Sequence, residues 1–171
     1  SDGGGANLFL GAAVSVRMDD TVVGGGTGAV NGGGAYFSAS TSGSLTRVAF
    51  RDNDASGQGG GIWMSYFTGT LTECSWLQNR GGSAADALFA SNSAMSLVSF
   101  IFSGNKGTKV DVYRSGGSLG FASGCPTGFY NYGSGLLSYV CVGASDDTCE
   151  VYLPSNLTQN DCQEWTPNVT A

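Results

Sequence analysis

The sequence predicts an all-β protein: a single-stranded parallel β-helix solenoid with about 26 residues per coil and a disulfide-tied C-terminal cap. Three observations predict this fold class. A ten-residue pattern that begins at Ser44 recurs from Thr70 and again from Ser96, so the step between copies is constant. The apolar runs are short and are broken by Gly, Ser and Asn, as is typical of short strands. Four of the five cysteines lie in the last third of the chain.

Stacking of this repeat predicts columns of equivalent residues along the solenoid. Parallel strands of successive coils lie about 4.8 Å apart, so side chains one step apart contact each other. Asparagine tolerates left-handed turns and can hydrogen-bond along a column. Each coil is expected to contain two strands and two turns. The expected columns are Leu45, Leu71 and Leu97, then Phe50, Trp76 and Phe102, and then Asn53, Asn79 and Asn105.

Taken in order, the chain divides into four segments. Residues 1–31 are interpreted as an imperfect first coil with an insertion, because terminal repeats are usually atypical. Regular coils follow over residues 32–109, and residues 110–124 form a reduced last coil in which the period shortens. The solenoid therefore covers residues 1–124. Residues 125–171 form a Cys-rich cap in which tyrosines occur among Gly, Ser and Asp.

The cysteines divide into two groups. Cys74 occupies the repeat position of Val48 and Phe100, so we expect it to be a reduced, buried thiol that behaves as a small apolar residue. The four cysteines of the last third are expected to form two disulfides. Four cysteines allow three pairings. We favour Cys125–Cys141 with Cys149–Cys162, because short loops close most readily.

Composition and charge argue against some classes of binding partner. The net charge is −6 and the seven basic residues are scattered, whereas nucleic-acid binding needs a basic cluster. No apolar run approaches the roughly 20 residues that cross a bilayer, so we expect no membrane insertion. Two N-glycosylation sequons, at Asn156 and Asn168, lie in the cysteine-bearing tail. These features predict a secreted glycoprotein at the cell surface, with no cofactor.

The glycine and asparagine motifs resemble those of known repeat proteins. Gly59-Gly60-Gly61-Ile62 with Trp76-Leu77-Gln78-Asn79 is similar to the repeats of polymorphic outer-membrane-protein passengers, which are right-handed parallel β-helices related to pectin-lyase-like repeats. Gly33-Gly34-Ala35-Tyr36 with Phe50-Arg51-Asp52-Asn53 is a second match. The region around Asp111-Val112-Tyr113 and Cys125-Pro126 resembles the ends of such repeats in secreted algal and protist surface proteins. The resemblance implies a right-handed solenoid with an adhesive or structural role and carries over no catalytic residue.

The sequence argues against catalysis. It contains no histidine, the usual general base. Polysaccharide-cleaving β-helices resemble this fold and use clustered carboxylates, and glycoside hydrolysis needs two carboxylates that face each other. At the step of the repeat, Asp52 aligns with Gln78 and Gly104, so no acids stack there. The remaining candidate acids are Asp54, which aligns with Arg80 and Lys106, and Glu73, Asp86 and Asp111.

Two binding surfaces are weighed as alternatives. Aromatic residues could stack on sugars, although we favour packing in the core or at a subunit interface for them. The candidates are Phe37, Trp63 and Phe89, which share one step, with Tyr66 and Phe67. A flat threonine array could bind ice. Thr46 and Thr72 align, but Val98 interrupts their column.

The sequence therefore predicts a non-catalytic extracellular structural protein that is a subunit of a filament, surface hair or cell coat. The alternative is a carbohydrate-binding or adhesive module, and a polysaccharide lyase or hydrolase and an ice-binding protein are further alternatives. Self-association is expected through the first coil, residues 1–31, and the C-terminal cap. Few residues precede the apolar run Ala6–Leu10, and an open solenoid end exposes backbone groups that can pair with another chain.

Overall fold

The structure, a computed structural model, is a parallel β-solenoid of about four turns with about 26 residues per turn. It describes residues 6–11, 14–38, 41–107, 111–121, 129–132 and 136–141. All regular secondary structure in these ranges is strand. The predicted all-β parallel solenoid is therefore confirmed. Within the same ranges, no helix is long and apolar enough to cross a membrane.

The described residues contain fourteen strands, β1 to β14 in chain order. Their bounds are β1 Leu8–Leu10, β2 Ser15–Asp19, β3 Val22–Gly24, β4 Ala35–Phe37, β5 Ser42–Thr46, β6 Ala49–Arg51, β7 Asp54–Ala55, β8 Ile62–Ser65, β9 Thr68–Leu77, β10 Arg80–Gly81, β11 Leu88–Ser103, β12 Val112–Phe121, β13 Phe129–Tyr132 and β14 Leu136–Cys141.

A complete coil has three strand-bearing faces, not the two strands that the sequence predicts. The first face contains β1, β4, β8 and the starts of β11 and β12. The second face contains β2, β5, the start of β9, the middle of β11 and the end of β12. The third face contains β3, β6 and the ends of β9 and β11. The two-residue strands β7 and β10 form a separate short ladder.

Single left-handed residues make the corners between these faces, which explains why the sequence shows too few turns. Most of these residues are not glycine, so they carry no turn signal, and β9 and β11 pass through their corners as continuous strands. The cost of such a residue is modest when the surrounding hydrogen bonds hold it in place. Asp20, Arg47, Glu73 and Ser99 form the corner between the second and third faces, and Asp52, Gln78 and Gly104 form the corner after the third.

The step between equivalent residues varies along the chain and between faces. It is longest at the N-terminal end, where β1 pairs with β4, and shortest at the C-terminal end, where β11 pairs with β12. The step from β4 to β8 on the first face is one residue longer than the step from β5 to β9 on the second. The predicted alignment of Phe37 with Trp63 is therefore wrong. Tyr36 pairs with Trp63, and Phe37 pairs with Met64, because the corner after β4 is one residue longer than the corner after Met64.

The hydrophobic core runs along the solenoid as columns of equivalent side chains. The leucines of the second face, Leu45, Leu71 and Leu97, are fully buried and lie in register. Burying a leucine side chain contributes about 1.5–3 kcal/mol. Beside them, Gly69 is required, because a Cβ atom there would lie 1.9 Å from the carbonyl oxygen of Gly43. The buried ring of Phe67 lies next to Gly69.

An antiparallel hairpin, β13 and β14, continues the first face beyond the last coil. The β14 strand pairs with Val112–Ser115 of β12. The sequence predicts an appendage here but not this pairing. Cys125, Cys149, Cys162, Asn156 and Asn168 lie outside the described residues, and only the backbone of Cys141 is described, so the disulfides and glycosylation sites stay predictions.

Candidate functional site

A buried asparagine ladder follows the corner after the third face. The Nδ2 group of Asn53 donates to Oδ1 of Asn79 at 3.0 Å, and Nδ2 of Asn79 donates to Oδ1 of Asn105 at 3.1 Å. Each Nδ2 group also donates to a backbone carbonyl of the preceding coil, on Val23, Phe50 and Trp76. Each Oδ1 atom accepts a backbone N–H, from Gly26, Asn53 and Asn79. The ladder thus satisfies buried polar groups of the backbone as well as its own.

Asp111 ends this ladder. Each amide donates one N–H to the preceding coil and the other to the next asparagine, so the second N–H of the last amide, on Asn105, needs an acceptor beyond the ladder. A hydrogen bond from the Asn105 side chain to the Asp111 carboxyl group meets that need. Burial raises the pKa of Asp111 to about 7, the Asn105 hydrogen bond opposes this shift, and the nearby Asp86 carboxylate adds to it. A carboxyl group from the start of the last coil is therefore held in the core at the end of the ladder.

The aromatic column of the third face lies in the core beside the asparagine ladder. The ring centroids of Phe50 and Trp76 are 5.7 Å apart, and those of Trp76 and Phe102 are 4.6 Å apart, with nearly parallel planes. All three side chains are buried. The indole N–H of Trp76 has no hydrogen-bond partner among the residues that the structure describes. This position therefore holds an unpaired donor between two phenylalanines.

Replacing Trp76 with phenylalanine is expected to change the unfolding free energy by less than about 1 kcal/mol, although the residue is fully buried. The smaller ring loses packing, but the substitution also removes an unpaired buried donor, whose cost is about 1–3 kcal/mol. Urea unfolding at neutral pH measures the change. Trp76→Ala is the comparison and should lose about 3–5 kcal/mol. A loss of that size for Trp76→Phe would contradict the prediction.

A second aromatic ladder lies on the outside of the first face. Its rings stack in parallel with centroid distances of 5.2, 4.4, 6.1 and 5.3 Å. Strand alternation directs these side chains away from the core, since their neighbours in sequence belong to the core cluster. The indole N–H of Trp63 donates to Oε1 of Gln58 at 3.3 Å. In order, the outer ladder consists of Phe9, Tyr36, Trp63, Phe89 and Tyr113.

The outer ladder differs from the sugar-stacking platform considered from the sequence. Phe37 and Phe67 are buried in the core and contact each other, so they cannot meet a sugar. Trp63 and Phe89 do belong to the outer ladder, but stacked neighbours cover both faces of each ring. Tyr66 is exposed at a left-handed corner outside the ladder. The interior rings therefore have no uncovered face, which sugar stacking needs, and Tyr36 and Phe89 are buried.

Phe9 is the N-terminal end of the outer ladder. Its ring stacks on Tyr36, with centroids 5.2 Å apart, and no other described ring lies on its second face. It is 54% exposed. The strands of the same coil, β1, β2 and β3, each pair on one side only within the described residues. The exposed apolar side chains of this coil are Phe9, Val14, Val22 and Val30.

Two of the candidate acids, Asp86 and Asp111, lie near each other, but both are buried in the core. Asp54 pairs in register with Arg80, and their side chains form an ion pair at 3.6 Å. Asp52 and Glu73 are exposed at corners. No group of three or more His, Cys, Asp or Glu residues that could hold a metal occurs in the part of the chain that the structure describes.

Cys74 is a buried, unpaired thiol. It aligns with Phe100, and its Sγ–H lies 3.4 Å from the carbonyl oxygen of Leu45 and 3.5 Å from that of Thr72. Burial raises the pKa of the Cys74 thiol above its ordinary value. Since the thiolate is the reactive form, this thiol is poorly suited to act as a nucleophile.

The second face presents a neutral, hydroxyl-rich surface. Thr46 and Thr72 are in register, and Val98 occupies the next position of their column, as the sequence predicts. Thr68 and Thr70 lie on the same outward side of the strand as Thr72, because every second residue of a strand faces the same way. Across three coils this surface carries no charged residue and consists of Ser42, Ser44, Thr46, Thr68, Thr70, Thr72, Ala94, Ser96 and Val98.

Comparisons of the chain with protein-family models, curated proteins and solved structures found no match.

Sequence reasoning missed two features of this region. The outer ladder was missed because the step between its residues shortens along the chain. At the constant step of the repeat, only two of its five members, Trp63 and Phe89, align with each other. A search for aromatic residues that allowed the step to vary would have found the series. Asp111 was considered only as a candidate acid. Its position, one short coil beyond Ala87, gave no sign that it accepts the last hydrogen bond of the ladder.

Proposed function

We propose that this chain is a non-catalytic structural protein of the cell exterior, a subunit of a filament, surface hair or cell coat. The first coil that the structure describes supports the proposal. Its three strands have unpaired edges within the described residues, and four large apolar side chains are exposed there. Such edges are templates for pairing with another chain. A rigid solenoid with such edges is suited to assembly.

Finer features of the proposal come from the sequence. The motif resemblance favours a right-handed solenoid of the pectin-lyase-like kind. The cysteines of residues 125–171 favour a disulfide-tied cap, and the sequons at Asn156 and Asn168 favour a secreted glycoprotein. Glycans at these positions would keep part of the cap outside subunit contacts.

Electron microscopy of the native material in negative stain tests the proposed function. We expect ordered assemblies, and a chain lacking residues 1–10 should fail to assemble while its repeats stay folded by circular dichroism. The deletion removes β1 and with it the end of the outer ladder. Discrete monomers in the native material would contradict the structural role, and normal assembly by the truncated chain would exclude the first coil from the contact.

The second candidate is a carbohydrate-binding or adhesive module. The neutral hydroxyl surface of the second face favours it, because small hydroxyl groups in register can hydrogen-bond a flat polymer. A glycan array tests this candidate, with Thr70→Arg as the variant, since Thr70 lies centrally in that surface. Binding by the native chain that the arginine abolishes would support the adhesive role over the structural one.

A further inference from the structure

The last coil, residues 111–121, contributes little to the hydrophobic core. Among its described side chains, only Val112 and Leu119 belong to the buried core cluster. Its corner contains Gly116 and Gly117, both left-handed, and glycine loses more conformational freedom on folding than any other residue. The preceding coil supplies six core residues, which are Ala87, Leu88, Ala90, Met95, Leu97 and Phe102.

Arg114 occupies a core position of the last coil. It pairs in register with Ala90, which is fully buried and pairs in turn with the buried Met64. Because Val112 faces the core, strand alternation directs Arg114 inward as well. One of its terminal nitrogens donates to the carbonyl oxygen of Gly117, whereas its buried Nε–H has no partner among the described residues. A polar group therefore stands where the preceding coils place apolar side chains.

The carboxyl group of Asp111 lies where the last coil meets the preceding one. Asp111 is 6% exposed, and Asp86, in the turn before β11, is 1% exposed. The backbone carbonyl of Asp111 accepts the N–H groups of Ala87 and Leu88 at 3.1 and 2.9 Å, so the coil begins directly against the residues that follow Asp86. Oδ1 of Asp86 accepts the N–H of Gly81 at 3.0 Å. Two carboxyl groups are thus buried at one junction between coils.

The charges around Asp111 do not offset the cost of ionising it there. Burial and the Asp86 carboxylate raise the pKa of Asp111 to about 7, against the opposing effect of the Asn105 hydrogen bond. Lys106, next to Asn105, is exposed, and Arg114 on β12 donates to a backbone carbonyl. No basic side chain among the described residues forms an ion pair with Asp111.

We propose that the last coil is a proton-controlled latch, which rarely opens while Asp111 is protonated and opens far more often once Asp111 ionises. Opening transfers the carboxylate to water, separates it from Asp86 and gives up only the small core of this coil. The β13–β14 hairpin is expected to leave with β12, to which β14 is paired. The open form exposes the edge of β11 from Leu88 to Leu97. The latch operates within one chain, so it does not depend on the proposed function.

The two pKa values of Asp111 set the size of the effect. In the open coil the carboxyl group is expected to regain its ordinary pKa of 3.8, compared with about 7 in the closed coil. The opening constant should therefore rise about tenfold per pH unit between these values and level off above pH 7. Between pH 5 and pH 8 the rise should be roughly a hundredfold.

Hydrogen exchange of the full native chain at pH 5 and pH 8 tests the latch, with rates corrected for the intrinsic effect of pH on exchange. The protection of the β12 amides should fall roughly a hundredfold at the higher pH. Asp111→Asn should keep that protection near its pH 5 value, because the amide does not ionise. The control, Asp52→Asn, makes the same chemical change at an exposed corner and should leave the fall in β12 in place.

The amides of β5 and β9, which pair with each other, provide a comparison within the same molecule. At each pH they should be better protected than those of β12 and should lose protection more steeply in low urea, because global unfolding exposes more surface than local opening. Equal protection and equal urea dependence in both sets would mean that the last coil opens only when the whole chain unfolds, and would overturn the latch. Constant protection of β12 between pH 5 and pH 8, or a fall that persists in Asp111→Asn, would overturn it too.

Discussion

Replacing Asn79 with alanine is expected to lower the unfolding free energy by on the order of 2–4 kcal/mol. The Asn79 side chain takes part in four hydrogen bonds: it donates to Phe50 O and Asn105 Oδ1, and accepts from the backbone and the side chain of Asn53. All these groups are buried. Alanine would remove all four bonds at once. Asn53 Nδ2 and Asn105 Oδ1 would each keep one partner, whereas the Asn53 backbone N–H and the Phe50 carbonyl oxygen would lose this bond. Each unsatisfied buried group costs about 1–3 kcal/mol.

Urea unfolding followed by circular dichroism measures this effect. The control is Ser103→Ala, an exposed position at the end of β11, where we expect a change within about 0.5 kcal/mol. Asn79→Asp provides a second comparison, since it keeps an acceptor but loses the donor and introduces a charge into a buried position. A loss below about 1 kcal/mol for Asn79→Ala would mean that the ladder does not hold the coils together.

Replacing Asp111 with asparagine is expected to stabilise the protein at pH 8 by up to about 4 kcal/mol. Burial raises the pKa of Asp111 from an ordinary value of 3.8 to about 7. The native protein therefore holds a buried charge above pH 7. Asparagine keeps an oxygen that can accept the Asn105 hydrogen bond, continues the ladder by one amide, and removes the repulsion from Asp86.

The raised pKa of Asp111 also fixes the direction in which stability changes with pH. Between pH 3.8 and about pH 7 the folded state holds a proton on Asp111 that the unfolded state has released. The contribution of Asp111 to stability is therefore present in full below pH 3.8, falls as the pH rises toward 7, and is lost above it. Asp111→Asn should abolish this decline.

Urea unfolding at pH 5 and pH 8 measures the effect of Asp111→Asn on stability. The matched control is Asp52→Asn, the same chemical change at an exposed left-handed corner that asparagine tolerates well. It should change the stability little, because its side chain is exposed. If Asp111→Asn were less stable than the native protein at pH 8 and kept the same decline, the carboxylate would be a favourable end to the ladder.

Asn79 and Asp111 connect the stability of the solenoid with its proposed role in assembly. Each coil can bury its polar corner only if the next coil supplies an acceptor, and the last acceptor comes from Asp111. The outer aromatic ladder has no such end at Phe9, where a ring face remains uncovered among the described residues. The asparagine ladder thus has a terminator at the C-terminal end, while the aromatic ladder remains open at the N-terminal end.

The sequence by itself determined the stacking between Leu45 and Asn105. In that stretch the step is constant, and chemically similar residues recur at the leucine, aromatic and asparagine positions, so stacking one coil on the next leaves a single consistent register. The leucine, aromatic and asparagine columns follow from that register alone. The alignment of Asp54 with Arg80 follows in the same way.

Only the tertiary structure decided where the chain turns and how its ends are paired. A left-handed corner at Glu73 or Ser99 carries no glycine signal, because the hydrogen bonds of neighbouring coils impose its conformation. One extra residue in the corner after β4 shifts Tyr36, not Phe37, onto Trp63. Such shifts depend on the path of the backbone across whole coils, and a local pattern does not encode that path. For the same reason, the burial of Asp111 and the antiparallel β14 strand became visible only when the last coil was folded against its neighbours.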